Sequence, residues 1–122
     1  MANHRVSRGR ESQKFVADYI RPVFPDAESR AASLAGTDVF NTPGWAIEVK
    51  ARRDFTPTAW SKQASKNSGP DTPVAIMRPD GYGEARVGEW LVFMTLRDWL
   101  DIAEAMKENG IGPSELSTRG YS

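Results

Sequence analysis

The sequence predicts an α/β domain with a central mixed β-sheet flanked by helices. Helix-like and strand-like patterns follow one another in the order α-β-β-β-α-β-β-α. Strands joined by a tight turn run antiparallel and strands joined through a helix can run parallel, so this order indicates a mixed sheet. The 122 residues are 39% hydrophobic and 26% charged, which is the balance of one folded domain. We expect the domain to cover residues 1–110 and a flexible tail to cover residues 111–122.

The first half of the chain predicts one helix followed by a hairpin. Apolar residues recur at helical spacing within residues 9–20, so we expect a helix there. A short strand is expected within residues 28–34. The sequence Asn-Thr-Pro-Gly at residues 41–44 is a strong turn signal. It joins an extended segment, residues 37–40, to the best candidate for a central strand, residues 45–50.

The second half predicts two more helices and two more strands. A threonine hydroxyl cap and a proline in the first turn predict a helix over residues 56–68. Residues 73–78 and 89–94 have the composition of buried strands. Thr95 is expected to cap the last helix, with Asp98 completing a capping box. The apolar stripe of that helix consists of Leu96, Trp99, Leu100, Ala103 and Met106. Three tryptophans at apolar positions are expected in the core: Trp45, Trp90 and Trp99.

Composition excludes several kinds of catalytic site. The chain has no cysteine, so it holds no disulfide, thiolate nucleophile or cysteine-ligated metal. Its one histidine, His4, lies in a start that we expect to be mobile, so histidine-rich metal sites lack their ligands. The longest apolar run, residues 90–94, is too short to cross a membrane, and no signal-peptide core is present. We therefore expect a soluble, cytoplasmic protein whose catalysis would use carboxylates, lysine, hydroxyls or a metal held by oxygens.

Charge is balanced overall but is divided unevenly along the chain. The formal net charge is zero, from 16 basic and 16 acidic residues. Residues 1–66 carry eleven cations and seven anions, a balance of +4, and the remainder carries −4. If the first part builds one face, that face can meet a polyanion such as a nucleic acid. The alternative is that both signs cover an ordinary solvated surface.

One group of residues has the composition of a metal site. Glu48 and Lys50 share one face of the strand 45–50, because strand residues alternate between faces. Asp38 lies ten residues before Glu48, across the turn, where hairpin pairing can bring the two carboxylates together. Two carboxylates and a backbone carbonyl suit Mg²⁺ or Mn²⁺, and an adjacent lysine can orient a water and stabilise charge on a phosphate. The alternative is a surface hairpin with an ordinary Glu–Lys pair.

Asp38 followed by Glu48-Val49-Lys50 resembles the PD-(D/E)xK nuclease signature. Over residues 9–101 the chain is similar to the small Holliday junction resolvases of that superfamily, including those of bacteriophages and archaea. One departure is Thr37, which stands where the signature has proline. The resemblance implies a restriction-endonuclease-like core and a homodimeric endonuclease that hydrolyses DNA phosphodiester bonds at four-way junctions. It also implies Mg²⁺ as the cofactor, with Mn²⁺ as a substitute.

The resemblance implies specific roles for the site residues. Asp38 and Glu48 would ligate the metal together with the Val49 carbonyl, and Lys50 would assist the attacking water. Glu11, in the first helix, would be the acid that completes the catalytic set. The alternative for Glu11 is a solvated glutamate that the helix dipole favours in the first turn.

Cations and polar residues around the motif are candidate DNA contacts. Each of them is, taken singly, an ordinary solvated side chain; clustered beside a metal site they are suited to contact phosphates without reading bases. On these grounds the candidates are Arg10, Arg52, Arg53, Lys62 and Lys66, and the resemblance to the resolvases implies that Arg30, Ser33 and Gln63 also contact the substrate. An N-terminal arm with Arg5, Arg8 and Arg10 is a further candidate.

Three alternatives to the resolvase remain open at this point. One is another structure-specific, nicking or restriction-type nuclease on the same core. The second is a DNA-binding module without catalysis, and the third is a small domain whose Glu-x-Lys is accidental. A dimer would suit a four-way junction, which has two-fold symmetry. Its candidate interface is the apolar edge around residues 90–94 together with the last helix.

Overall fold

A computed structural model describes residues 4–30, 36–51 and 56–113. The predicted α/β class and the predicted order of elements are confirmed. No helix within the described ranges is both long enough and apolar enough to span a membrane. The helices are α1 (His4–Ile20), α2 (Pro57–Lys66) and α3 (Leu96–Glu108), and a 3₁₀ segment covers Glu84–Glu89. The strands are β1 (Glu28–Ser29), β2 (Val39–Phe40), β3 (Trp45–Lys50), β4 (Thr72–Met77) and β5 (Leu91–Phe93).

The five strands form one mixed sheet in the order β1-β2-β3-β4-β5. The short turn after β2 makes β2 and β3 antiparallel, whereas the crossover through α2 makes β3 and β4 parallel. The other two pairs are antiparallel. Strand β3 is therefore central, with neighbours on both sides, and β5 is an edge strand.

Helices α1 and α2 cover opposite faces of the sheet. The face toward α1 carries Val39, Ile47 and Val49, which pack with Val16 of the helix in the main core. The opposite face carries a smaller cluster in which Trp60 of α2 packs with residues of β4 and β5. Because β3 alternates between these two environments, its even-numbered residues face α2.

Two helix starts differ from the sequence prediction. Helix α1 begins at His4 rather than near residue 9, so the start that was expected to be mobile is helical. Thr56 is the N-cap of α2, but its side chain makes no capping hydrogen bond. Pro57, whose missing N–H needs no acceptor, provides the start of this helix. The predicted cap of α3 is confirmed: Thr95 Oγ1 accepts a hydrogen bond from the Asp98 N–H over 3.2 Å.

Helix α3 has an apolar stripe that the rest of the described structure leaves exposed. None of its residues is buried, and Leu96 and Trp99 are 77% and 53% exposed. The expectation that Trp99 lies in the core is therefore wrong, whereas Trp90 is buried and Trp45 is half-buried. Helical spacing predicts which side chains share a face, but it does not predict what that face will contact.

Candidate active site

The β2–β3 hairpin brings Asp38 to the central strand. The Asp38 N–H donates to the Ile47 carbonyl over 3.0 Å, and Val39 pairs with the same residue. Two residues of one strand therefore oppose one residue of the other, which is the arrangement of a β-bulge. A bulge redirects the side chain beside it, and Asp38 Oδ2 accepts a hydrogen bond from the Val49 N–H over 2.8 Å. Asp38 thus lies against β3 at the level of the predicted motif.

Glu48 is the most unusual residue of the sheet, because its carboxyl group is buried in the interior. It is 2% exposed and lies on the face of β3 that is covered by α2. Its Oε1 accepts a hydrogen bond from Asn67 Nδ2, at the end of α2, over 2.8 Å. The pKa of Glu48 is raised to about 7, chiefly by burial and also by the neighbouring Asp38, while the hydrogen bond from Asn67 and the charge of Lys50 oppose the rise. Asp38 and Glu48 are therefore an interacting carboxyl pair, as the sequence predicted.

Lys50 lies on the same face of β3 as Glu48. Its Nζ donates to Gln63 Oε1 of α2 over 2.6 Å, and the residue is half-buried. Helix α2 therefore contacts both charged residues of the motif through amide side chains, with Gln63 on Lys50 and Asn67 on Glu48. Gln63 and Asn67 are four residues apart, so they lie on one side of the helix.

The donor set at this hairpin fits a hard divalent cation. The Val49 N–H points toward Asp38, and in a strand the carbonyl of a residue points to the same edge as its N–H. Two carboxyl groups and one carbonyl thus lie close together, and close carboxylates repel each other unless a proton or a cation lies between them. Mg²⁺ commonly uses one or two carboxylates and completes its coordination with water. The chemistry of these residues therefore fits such an ion.

Glu11 is not part of this carboxyl pair. Its Oε2 accepts a hydrogen bond from Arg78 Nη1 over 2.9 Å, in an ion pair that joins α1 to the end of β4. Arg78 is 9% exposed, and it also donates to Ser12 Oγ and to the Tyr82 carbonyl. Among the described residues, no group of three or more acidic or histidine side chains is spaced to bind a metal. The structure thus gives Glu11 a partner in Arg78 and brings Asp38 and Glu48 together without it.

The candidate DNA contacts have different positions in the fold. Arg10 is exposed on α1, and Lys62 and Lys66 are exposed on α2 beside Gln63. Arg30 is half-buried next to β2, where its N–H donates to the Asp38 carbonyl over 2.8 Å. The remaining three candidates, Ser33, Arg52 and Arg53, lie outside the described residues.

Sequence reasoning missed Asn67 and Arg78. The four-residue spacing of Gln63 and Asn67 was a usable signal, because it places both amides on the side of α2 that faces the motif strand. Arg78 gave no such signal, since an arginine after a strand is ordinarily solvated.

No protein-family model matches the chain, and neither a curated protein nor a solved structure matches it. The case for a function therefore comes from the residues of the site and from the resemblance of the motif.

Proposed function

We propose that this protein is a divalent-metal-dependent DNA endonuclease that hydrolyses phosphodiester bonds, with a four-way junction as its substrate. The observation that carries the proposal is the carboxyl pair of Asp38 and Glu48 with Lys50 on the same strand face. A buried carboxyl group on a central strand costs the fold stability, and such groups cluster at functional sites. Together with the motif resemblance, the pair favours a nuclease over an accidental Glu-x-Lys.

Asp38, Glu48 and the Val49 carbonyl would hold the metal ion. When bound, a divalent cation polarises a phosphoryl oxygen and offsets the negative charge that builds up on it. The chain's own contribution is to hold the two carboxyl groups in place. The Val49 N–H orients Asp38, and Asn67 orients Glu48. Both hydrogen bonds are made before any substrate arrives, so little reorganisation is needed.

Lys50 supplies the positive charge beside the carboxyl pair. Gln63 accepts one of its three N–H bonds over 2.6 Å, which directs the ammonium group along the face of the sheet. The other two N–H bonds can orient a water molecule for in-line attack and stabilise charge on the phosphate. Gln63 is accordingly a positioning residue that acts through Lys50.

The basic residues of the part of the chain that contains the motif, residues 1–66, support DNA as the substrate class. Residues 1–66 carry a balance of +4, which includes the acidic site residues themselves. A divalent ion at Asp38 and Glu48 makes that part of the surface more positive than the residue count indicates. The exposed Lys62 and Lys66 of α2 lie on the helix that contacts the site, where they suit phosphate contacts.

A homodimer is the second part of the proposal, because paired cuts in a two-fold symmetric junction need two sites related by the same symmetry. Supporting it are the exposed apolar residues Leu91 and Val92 of β5 and Leu96, Trp99 and Leu100 of α3. Their relative exposures range from 48% to 77%, and a standard interface buries about 800 Å² per partner.

The dimer is tested by light scattering after size exclusion over a range of concentrations. Replacing Trp99 and Leu100 by glutamate should give a folded monomer, because the charges would have to be buried in the interface. Val23→Glu is the control, since Val23 is also an exposed apolar residue, at 69% against 53% for Trp99 and 56% for Leu100, but it lies elsewhere. A wild-type chain that is monomeric at every concentration contradicts this part of the proposal.

The enzymatic function is tested with a labelled four-way junction in Mg²⁺ and in EDTA. Paired, symmetrical nicks should form in Mg²⁺ only. Glu48→Gln and Lys50→Ala should each reduce the cleavage rate at least about 100-fold, since each removes charge stabilisation at the reacting phosphate. Glu104→Gln and Lys107→Ala, both exposed on α3, are the matched controls and should cleave normally.

The outcomes separate the proposal from its alternatives. Cleavage of nicked, flap or linear duplex DNA in place of the junction would identify another nuclease on the same core. Binding of the junction without cleavage would identify a DNA-binding module. Cleavage that survives both Glu48→Gln and Lys50→Ala would mean that the active site lies elsewhere.

A further inference from the structure

Arg30 is held in one orientation by its neighbours. Its Nε donates to the Thr37 carbonyl over 2.6 Å, and its guanidinium carbon lies 4.7 Å from the centre of the Phe40 ring. The first contact fixes the direction of the guanidinium plane, and the second adds a cation–π interaction. Within the part of the chain that the structure describes, no carboxylate forms an ion pair with Arg30, so its Nη1 and Nη2 are left for another partner.

Gly36 makes room for this orientation. A methyl group at Gly36 would lie 3.0 Å from both Cζ and Nε of Arg30 and 3.2 Å from Nη2. Gly36 also has a φ of +117°, which side-chain-bearing residues rarely adopt. The guanidinium group therefore occupies the space that any other residue at position 36 would need.

The guanidinium borders a groove beside the β2–β3 turn. The groove has a volume of about 450 Å³, and its lining includes Arg30, Thr37, Phe40 and Asn67. Asn67 is the residue that donates to Glu48, and the Arg30 N–H donates to the Asp38 carbonyl. Arg30 is thus hydrogen-bonded through its backbone to the residue that carries one site carboxylate, and the groove is lined by the residue that donates to the other.

We propose that Gly36, Thr37 and Phe40 hold the Arg30 guanidinium so that its two terminal nitrogens bind one phosphate group of a DNA strand lying in this groove. Two parallel N–H donors match two phosphate oxygens, which makes arginine suited to this contact. Preorganisation lowers the side-chain entropy lost on binding. The inference rests on the proposed function for its ligand, and it makes Gly36 and Phe40 positioning residues that act through Arg30.

Binding is measured by fluorescence anisotropy with a labelled four-way junction in EDTA, so that no strand is cut. Arg30→Ala should weaken binding about five- to tenfold and lower the slope of log affinity against log salt by about 1, since one phosphate contact is lost. Gly36→Ala should weaken binding to a similar extent. Gly81→Ala is its matched control, because Gly81 also has a positive φ, of +82°, but open space around it.

A double-mutant cycle tests whether Gly36 acts through Arg30. In the Arg30→Ala background, Gly36→Ala should cause no further loss of affinity. Phe40→Leu, which keeps an apolar side chain but removes the ring, should give a loss between wild type and Arg30→Ala. A loss at Gly36→Ala no greater than at Gly81→Ala, or a fully additive cycle, would overturn the positioning role.

The inference and the proposed function fail in different ways. Unchanged affinity and salt slope in Arg30→Ala would overturn the phosphate site even if the wild type cuts DNA. The expected cycle in a protein that never cuts any DNA in Mg²⁺ would overturn the nuclease and leave the phosphate site standing. A wild type that binds no DNA would overturn both.

Discussion

Glu48 on β3 is almost fully buried and Leu96 on α3 is largely exposed, although a carboxyl group favours water and an apolar side chain favours the interior. The carboxyl group of Glu48 is 2% exposed, whereas the apolar side chain of Leu96 is 77% exposed. The first is retained with the help of a hydrogen bond from Asn67. The second belongs to a helix that has no buried residue and whose start is capped by Thr95. Departures of both kinds are typical of functional surfaces, and we propose a cation and substrate as the partners at β3 and a second copy of the chain as the partner at α3.

The two tryptophans on α2 and α3 give the largest expected contrast between these regions. Trp60 is 4% exposed and packs against Phe93, so Trp60→Ala should lower the free energy of unfolding by about 3–5 kcal/mol. Trp99 is 53% exposed, so Trp99→Ala should lower it by less than about 1 kcal/mol. Urea denaturation followed by circular dichroism, at a concentration where the chain is monomeric, measures both. Equal losses would mean that α3 packs against the rest of the domain in solution.

The pH dependence of stability sharpens the comparison at Glu48. Its pKa is about 7 in the folded state against 4.5 when exposed, so the folded chain binds the proton more tightly between these values. The contribution of the neutral Glu48 carboxyl group to the free energy of unfolding is therefore fully present below pH 4.5. It is lost as the pH rises through 7. Glu48→Gln, which stays neutral, should be more stable than wild type at pH 8 by up to about 3 kcal/mol, and nearly equal to it at pH 4.5.

Thermal denaturation at a series of pH values in EDTA tests this expectation. Glu104→Gln is the control, because Glu104 is exposed on α3 and should show no such difference. A difference between wild type and Glu48→Gln that is constant from pH 4.5 to pH 8 would contradict the raised pKa of Glu48.

Asn67→Ala gives the smallest of the three effects. It removes the donor to Glu48 Oε1, so it should lower the free energy of unfolding at pH 8 by about 1–2 kcal/mol and raise the pKa of Glu48 further. Asn109→Ala is the matched control, since Asn109 ends α3 as Asn67 ends α2 but contacts no carboxyl group. If both variants shift the pH profile alike, the contact between Asn67 and Glu48 is unimportant in solution.

Local sequence patterns were enough to predict the relative positions of site residues that lie close together in the chain. The turn at residues 41–44 and the alternation within residues 45–50 were sufficient to place Asp38 beside Glu48. The same local signals predicted the Thr95 cap and the order of the elements. Each of these features depends on residues that are at most about ten positions apart.

Features that depend on distant packing were not predictable from one sequence. Whether Asn67 can donate a hydrogen bond to Glu48 depends on the position in which α2 packs on the sheet. The exposure of Trp99 depends on which faces of the sheet the other helices cover. The spacing of the apolar residues within α3 does not encode this. The pairing of Glu11 with Arg78 joins residues 67 positions apart, and it gives a stabilising role to a side chain that the motif alone assigned to catalysis.

That long separation has a consequence for the order of events during synthesis. Ribosomes add about 5–20 residues per second, so roughly 3–13 s pass between the appearance of Glu11 and that of Arg78. Helix α1 is synthesised at the start of this interval, but its ion pair with Arg78 at the end of β4 cannot form until the interval is over. In a growing chain, α1 can thus pack on β2 and β3 before its ion pair with Arg78 is able to form.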